Sequence, residues 1–343
     1  MSHLPLVVVG ASAGGVEALQ AMVGGLPADV DAAVLVVLHI PPTGPSALAR
    51  ILDRAGVLAA SRAVDGEPLR AGHVYVASAD RHLLVLDGRV RLSRGPAENG
   101  HRPAVDPLFR SAARAGRHRT VAVVLSGSRD DGTAGAGVVA ERGGRVLVQD
   151  PDDALHPSMP RSVIEHVDVD GVCKAAELGP AIAEMLRDLP EDPPDDNLGP
   201  LGDDLAALET AVANLDDHTT DDLAGHPAGL ACPSCHGALF ELPGEPMPRF
   251  RCPVGHAWSP QSLLEEQAAA FEGALWMALR SLEEKSTLAA RMATSATDRD
   301  RSELARHFHA SAEDASRAAE RIRSLIGKLD ALTEAPDTAH AAG

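Results

Sequence analysis

No apolar run in the 343 residues approaches the roughly 18 needed to span a bilayer as a helix, and no basic stretch leads a cleavable apolar one at the amino terminus. No membrane span and a cytoplasmic location are therefore expected. Cysteine is scarce. Of the four, three fall within about twenty residues, a clustering that suits metal ligands rather than a disulfide framework. Lys and Arg are missing altogether from Asp188 to Pro248, which carries fourteen Asp and Glu, so this stretch holds most of the formal charge of −18. Such acidity repels phosphates and excludes nucleic acid as a partner of this region. The string LPEDPPDDNLGPLGDD reads as a self-repelling linker, interrupted by a weak helical pattern from Leu205 to Leu215. The glycine-rich segment at 10–15 has neither G-x-G-x-x-G nor a Lys followed by Ser or Thr, which argues against a nucleotide site. No long internal repeat is present.

An apolar content of 45% over this length supports a sizeable core and two or more domains. Apolar runs predict strands near 6–9, 33–38, 74–77, 121–125, 145–148 and 171–174, with a hairpin at 82–93 turning through Asp87-Gly88. Helices are expected near 15–24, 45–54, 105–115, 133–142, 158–166 and 176–187. The alternation implies an α/β fold, a doubly wound, mostly parallel, Rossmann-like sheet.

Three polar groups stand directly after buried strands. Leu6 to Val9 breaks into Gly10-Ala11-Ser12-Ala13-Gly14-Gly15, placing Ser12 on a sharp strand-to-helix turn of the pattern G-x-S-x-G. His39 ends the second strand, and the strand at 121–125 runs into Ser126-Gly127-Ser128-Arg129-Asp130-Asp131-Gly132. Ligands of an open parallel sheet bind beyond the carboxyl ends of its strands, so these groups share one rim. A serine needs a base to take its proton, and imidazole suits neutral pH. Ser12 is thus a candidate nucleophile, His39 its base, and Asp130 or Asp131 the orienting acid. His82 and His101 are competing bases. Arg102 and Asp106 either shape a groove or form a local salt bridge. The order Ser, His, Asp differs from that of α/β-hydrolases, in which the acid precedes the histidine.

The blocks GASAGG, LHIPPTGPSALARIL, GHVYVASADRHLLV, RPAVDPLFRSAA, LSGSRDDGTAG and GGRVLVQDPDDALHPSMPRSVIEHV follow one another over about residues 4 to 187. In order and spacing they resemble the catalytic domain of the chemotaxis protein-glutamate methylesterase family, CheB. The resemblance implies Ser12 as nucleophile, His39 as base and Asp131, rather than Asp130, as orienting acid. It also implies a catalytic cycle with no cofactor, in which glutamate γ-methyl esters on the cytoplasmic helices of a methylated chemoreceptor are hydrolysed, and in some members glutamine is deamidated. Backbone N–H groups near Ala13 or Gly14 would hold the oxyanion. Two departures stand out. Ser128-Arg129 replaces a Met-Gly common in the family, and Ser12 already follows the first strand, where a typical member begins with a phosphorylatable receiver domain. Control by phosphorylation within the chain is accordingly expected to be absent. A non-enzymatic signalling scaffold and an esterase of small molecules are the rival readings.

Beyond the acidic stretch, Cys232-Pro233-Ser234-Cys235 precedes Cys252-Pro253-Val254-Gly255-His256. Cys232, Cys235, Cys252 and His256 make a Cys3His set suited to a closed, structural zinc site with no part in ester chemistry. His236 is the alternative fourth ligand. Phe240, Phe250 and Trp258 are available for a small core, and Cys173 reads as a buried strand residue. Ser259-Pro260 reads as a helix cap and first turn. Apolar residues then recur at spacings of three and four from Ala268 to Met292 and from Leu304 to Leu332, predicting a helical hairpin or a coiled-coil dimer, with self-association or a regulatory partner docking there. The expected division is 1–187 catalytic, 188–230 acidic linker, 231–258 zinc knuckle, 259–333 helices and 334–343 a disordered tail.

Overall fold

The computed structural model describes residues 4–43, 46–190, 200–216, 225–244 and 247–333. The expected tail and the parts of the acidic stretch at 191–199 and 217–224 lie outside the described residues. Two compact units emerge, Met1–Leu264 and Glu265–Gly343.

The first unit is built on β1 (Leu6–Ala11), β2 (Ala33–Leu38), β3 (Ala59–Arg62), β4 (His73–Val76), the hairpin β5 (His82–Leu86) and β6 (Arg89–Ser93), β7 (Thr120–Val124), β8 (Arg145–Gln149) and β9 (Gly171–Cys173). Seven of these strands form one parallel sheet in the order β3-β4-β2-β1-β7-β8-β9. Alternate residues feed two cores. Val7, Val9, Val34 and Val36 face α1 (Gly15–Gly24), α2 (Leu48–Ala55) and α6 (Ala175–Asp188), whereas Leu6, Val8, Leu35 and Val124 face α3 (Val105–Gly116), α4 (Thr133–Glu141) and α5 (Ser158–His166). Strands buried on both faces must be apolar throughout, which is why these runs read so clearly. The hairpin turns through Asp87 and Gly88, both at positive φ. Strand β3 lacks any such run: it is a half-exposed edge strand of sequence AASR, without an apolar signal to read.

The helical pattern expected at Leu205 to Leu215, within the acidic stretch, belongs to a longer helix. Pro200–Asn214 is a helix, α7, with Ala206, Glu209, Val212 and Ala213 buried. Gly95 meets the Ala213 carbonyl so closely that a Cβ there would stand 2.2 Å from the oxygen. Packing one apolar face offsets the weak propensity of the segment. A four-stranded antiparallel sheet follows, β10 (His226–Ala231), β11 (Ala238–Leu242), β12 (Arg249–Arg251) and β13 (Ala257–Trp258). Its small core is Cys232, Leu239, Cys252, Trp258 and Leu263, with Phe250 at the margin; Leu239 rather than Phe240 faces inward. Cys173 is only half-buried.

The second unit is an antiparallel helical hairpin, formed by α8 (Pro260–Thr297) beyond Leu264 and by α9 (Ser302–Thr333). Leu279, Ala319 and Ile326 form its centre, flanked by Leu275, Leu282 and Ile322. Ser286 donates to the Ala312 carbonyl at 3.0 Å. The seam lies partly out of phase with the expected one, since Phe271 and Met292 are exposed whereas Leu279 and Ala293 are buried.

Candidate active site

Ser12 sits one residue beyond β1, at the point where the sheet order reverses direction between β2 and β7. Its N–H donates to the Ser126 carbonyl at 2.9 Å, tying the end of β1 to the loop after β7. Gly14 takes φ 70 to start α1, and any Cβ there would strike Ser126 Oγ and Leu155 Cβ at 2.7 and 2.8 Å. His39 follows β2, and its N–H donates to the Ala11 carbonyl at 3.0 Å. Ser12, Ala13, His39, His101 and Arg102 line one open cavity of about 710 Å³.

Asp131 lies buried behind that cavity. Its Oδ2 accepts from His39 Nε2 at 2.7 Å and from the Val105 N–H at 2.7 Å, and its Oδ1 accepts from Asn99 Nδ2 at 3.0 Å. Burial alone would raise the Asp131 carboxyl. The His39 bond and charge, the Val105 N–H and His101 instead hold it well below the usual carboxylate range. An ionised carboxylate only accepts, so Nε2 carries the imidazole proton and Nδ1 the lone pair. Nδ1 is buried and has no hydrogen-bond partner among the described residues. Next to it Asp106 is buried as well; burial first and the Asp131 charge second raise its carboxyl well above the ordinary value. The two neighbouring carboxyls are thus shifted in opposite directions, Asp131 down and Asp106 up.

The other candidates separate by contact. Asp130 faces away from His39 and accepts from Ser259 Oγ at 2.6 Å and Ser262 Oγ at 2.8 Å. His82 is fully buried, with Nε2 on the Pro96 carbonyl at 2.9 Å and Nδ1 accepting from the Ala104 N–H at 3.3 Å, so both ring nitrogens are committed. His101 stacks on His39, with centroids 3.7 Å apart. Burial, then the neighbouring His39, push its pKa down to about 4, so it is neutral near pH 7. Arg102 both lines the cavity and pairs with Asp80 through Nε at 2.9 Å. Asp106 makes neither contact.

In the small sheet, the ligand atoms of Cys232, Cys235, Cys252 and His256 all lie within 4.8 Å of one another. Cys235 Sγ is 3.5 Å from Cys252 Sγ, and Cys252 Sγ is 3.5 Å from His256 Nδ1. A tetrahedron on Zn–S bonds of about 2.3 Å has edges of roughly 3.8 Å, so the donor set fits that ion. His236 is exposed and stands outside the group.

Sequence reasoning missed what joins these two regions. Glu98 and Glu209 are buried with Arg110 and Arg251: Arg110 Nη2 reaches both Glu98 oxygens at 2.7 Å, and Arg251 Nη2 reaches Glu209 at 2.7 Å and Glu98 at 3.2 Å. Arg249 adds a bond to Glu209 at 2.6 Å. Asn99, a residue that the sequence did not single out, touches both Asp131 and Ser259. These partners are separated by up to 160 residues, and no local pattern signals them.

Residues 7–182 match the family model described as CheB methylesterase. The chain belongs to the CheB methylesterase family. It is 38% identical over 186 residues to the protein-glutamate methylesterase/protein-glutamine glutaminase 2 of Caulobacter vibrioides, covering 53% of this chain and 54% of that protein. The protein of the same name from Anaeromyxobacter dehalogenans is 39% identical over 186 residues, with 54% of each chain covered. The crystal structure of the Thermotoga maritima CheB methylesterase catalytic domain aligns with a TM-score of 0.51 at 36% identity, covering 53% of this chain and 98% of that one. The chain thus matches about half the length of these curated relatives.

Proposed function

We propose that the chain is a serine carboxyl-ester hydrolase that removes methyl groups from glutamate γ-methyl esters on the cytoplasmic helices of a chemoreceptor. The observation that carries the reading is the His39 Nε2 bond to Asp131, which leaves a proton-accepting Nδ1 on a ring that shares one cavity with Ser12. Ser12 Oγ attacks the ester carbonyl carbon as His39 Nδ1 takes its proton. The carbonyl oxygen becomes an oxyanion. The N–H groups of Ser12 and Gly127 already serve the Ser126 and His156 carbonyls, so the donors come from the Ala13-Gly14 turn at the start of α1. His39 then protonates the departing methanol, and water repeats the sequence to release the glutamate and restore Ser12. Asp131 keeps the imidazole tautomer and stabilises the imidazolium between these steps. Replacing methanol by ammonia as leaving group gives glutamine deamidation through the same acyl intermediate, and the names of the two relatives favour including it.

Cys232, Cys235, Cys252 and His256 would hold a structural zinc ion. Four protein ligands close its coordination, so the ion folds the small sheet and takes no part in the acyl transfer. The test of the main reading is methanol release from membranes bearing methyl-labelled receptors. The native chain releases it; Ser12→Ala, fully folded, does not.

A further inference from the structure

The last strand of the small sheet reaches the back of the candidate active site. The Asn99 N–H donates to the Ala257 carbonyl at 2.8 Å, and Asn99 Oδ1 accepts from the Ser259 N–H at 2.8 Å. A backbone N–H can only donate, so the bond to Ser259 fixes which end of the Asn99 amide is oxygen. Its NH2 is then turned to the two carboxyls, Asp131 Oδ1 at 3.0 Å and Asp106 Oδ2 at 3.2 Å. Asn99 holds φ 52, a left-handed conformation that Asn and Gly tolerate best. Glu98, just before it, is gripped by Arg251 of β12, and His101, two residues on, stacks against His39. On the other side Asp130, the neighbour of Asp131, accepts the Ser259 and Ser262 hydroxyls at the first turn of α8. Both loops that orient His39 are therefore fastened to the segment 257–262.

We propose that Asn99 is a positioning residue for Asp131, and that the metal-loaded Cys3His sheet sets Asn99 through Ala257 and Ser259. This rests on the assignment of Ser12, His39 and Asp131 given above. The core of the small sheet is five residues, too few to stay folded without a cross-link. Ala257 directly follows the ligand His256, and Trp258 donates from Nε1 to Cys232 Sγ at 3.4 Å. Loss of the ion is thus passed to Ala257 and Ser259 over one to three residues. Asp131 would keep its bonds to His39 and Val105 and the longer Asp106 N–H bond to Oδ1 at 3.3 Å, but lose the shorter Asn99 donor on that oxygen, and turnover falls with little change in substrate binding. The ion itself still takes no part in the acyl transfer; its influence on turnover is indirect, through the placing of Asn99.

The test uses the full chain, native and as Asn99→Gly and Asn99→Asp. Glycine suits the left-handed backbone. Aspartate keeps the acceptor for Ser259 but loses the donor to Asp131. Zinc content, kcat and KM on a short methyl ester, and the low-field proton resonance of His39 Nε2–H are recorded with zinc bound, stripped and restored. Both variants are expected to retain zinc and to lose roughly 10- to 100-fold in kcat with KM nearly unchanged, as orienting partners of reactive groups usually do. The low-field resonance should shift or broaden. Stripping zinc from the native chain should produce the same changes, reversed on reloading, and should add little in Asn99→Gly, because both act on one contact. Native kcat and resonance in Asn99→Gly, or a full further loss on stripping zinc from it, overturns the proposal. Undiminished hydrolysis by Ser12→Ala instead overturns the nucleophile assignment and leaves this coupling to be judged on the resonance alone.

Discussion

The parallel sheet and the segment 200–264 meet the same rim of loops but are held by different forces. In the sheet, Val, Leu and Ala side chains alternate into two apolar layers, and polar groups appear only where strands end. In the segment 200–264, the contact with the sheet buries Glu98, Glu209, Arg110, Arg251 and the Asp130 carboxylate among hydroxyls and guanidinium groups. Apolar burial is non-directional and tolerates exchange of similar volumes. A buried charge cluster is directional, and it punishes removal of one partner far more than its presence stabilises. The sheet therefore decides where Ser12, His39 and Asp131 stand, whereas the attached segment decides how the groups behind Asp131 are turned.

The sharpest test of that contrast compares two adjacent carboxylates. Asp131→Asn presents an amide to His39 Nε2 and disturbs the tautomer, so hydrolysis should fall on the order of 10⁴-fold with the fold intact. Asp130→Ala removes the acceptor of two serine hydroxyls and should register mainly as lost stability, about 1–3 kcal/mol in urea unfolding. Equal losses of turnover in the two variants would erase the distinction between them.

A second comparison sets charge against apolar packing. Glu209→Gln is nearly isosteric but takes the carboxylate from Arg249 and leaves Arg110 and Arg251 with Glu98, which should cost about 3–5 kcal/mol. Val36→Ala removes two buried methyl groups from the centre of the sheet and should cost about 2 kcal/mol. Chemical denaturation of both variants gives the order. A larger cost for Val36→Ala would contradict the view that the cluster is the more sensitive attachment.

How legible each region was follows the same division. Strands such as AVLVVL announce themselves because both faces are buried, and the residues that follow them, Ser12, His39 and Asp131, could be named from position and family resemblance. The Cys3His cluster was readable because side chains that could hold one ion recur at short spacings, and Ser259 was readable as a cap, its Oγ accepting from the Ser262 N–H at 3.1 Å. Strand β3 was not, because AASR has no apolar period. Glu209 sits in an acidic stretch where one more carboxylate looks solvated; only the packing of α7 on α3 shows that it is buried. Asn99 could not be connected to Asp131 and Ser259 by any local rule, since these partners come from two distant parts of the chain.

The smallest expected effect is acid sensitivity at the rim. His101 is lowered from the ordinary 6.5 to about 4, first by burial and then by His39. Between those values the unfolded chain binds a proton that the folded one refuses, so this contribution to stability is present above about pH 6.5 and is lost as pH falls toward 4. Urea unfolding near pH 7 and near pH 5 should show a larger loss for the native chain than for His101→Gln. An identical loss in both would remove His101 as a source of acid sensitivity.

The central claim, that Ser12 is a nucleophile activated through His39, is tested most directly by covalent trapping. The native chain is treated with a fluorophosphonate, which reacts with an activated serine, and the adduct is mapped by mass spectrometry while methanol release from methyl-labelled receptor membranes is followed. The account predicts one adduct per chain, on Ser12, with release lost in step with labelling and no labelling in His39→Ala. An adduct on another residue, or methanol release that persists after Ser12 is fully labelled, would contradict it.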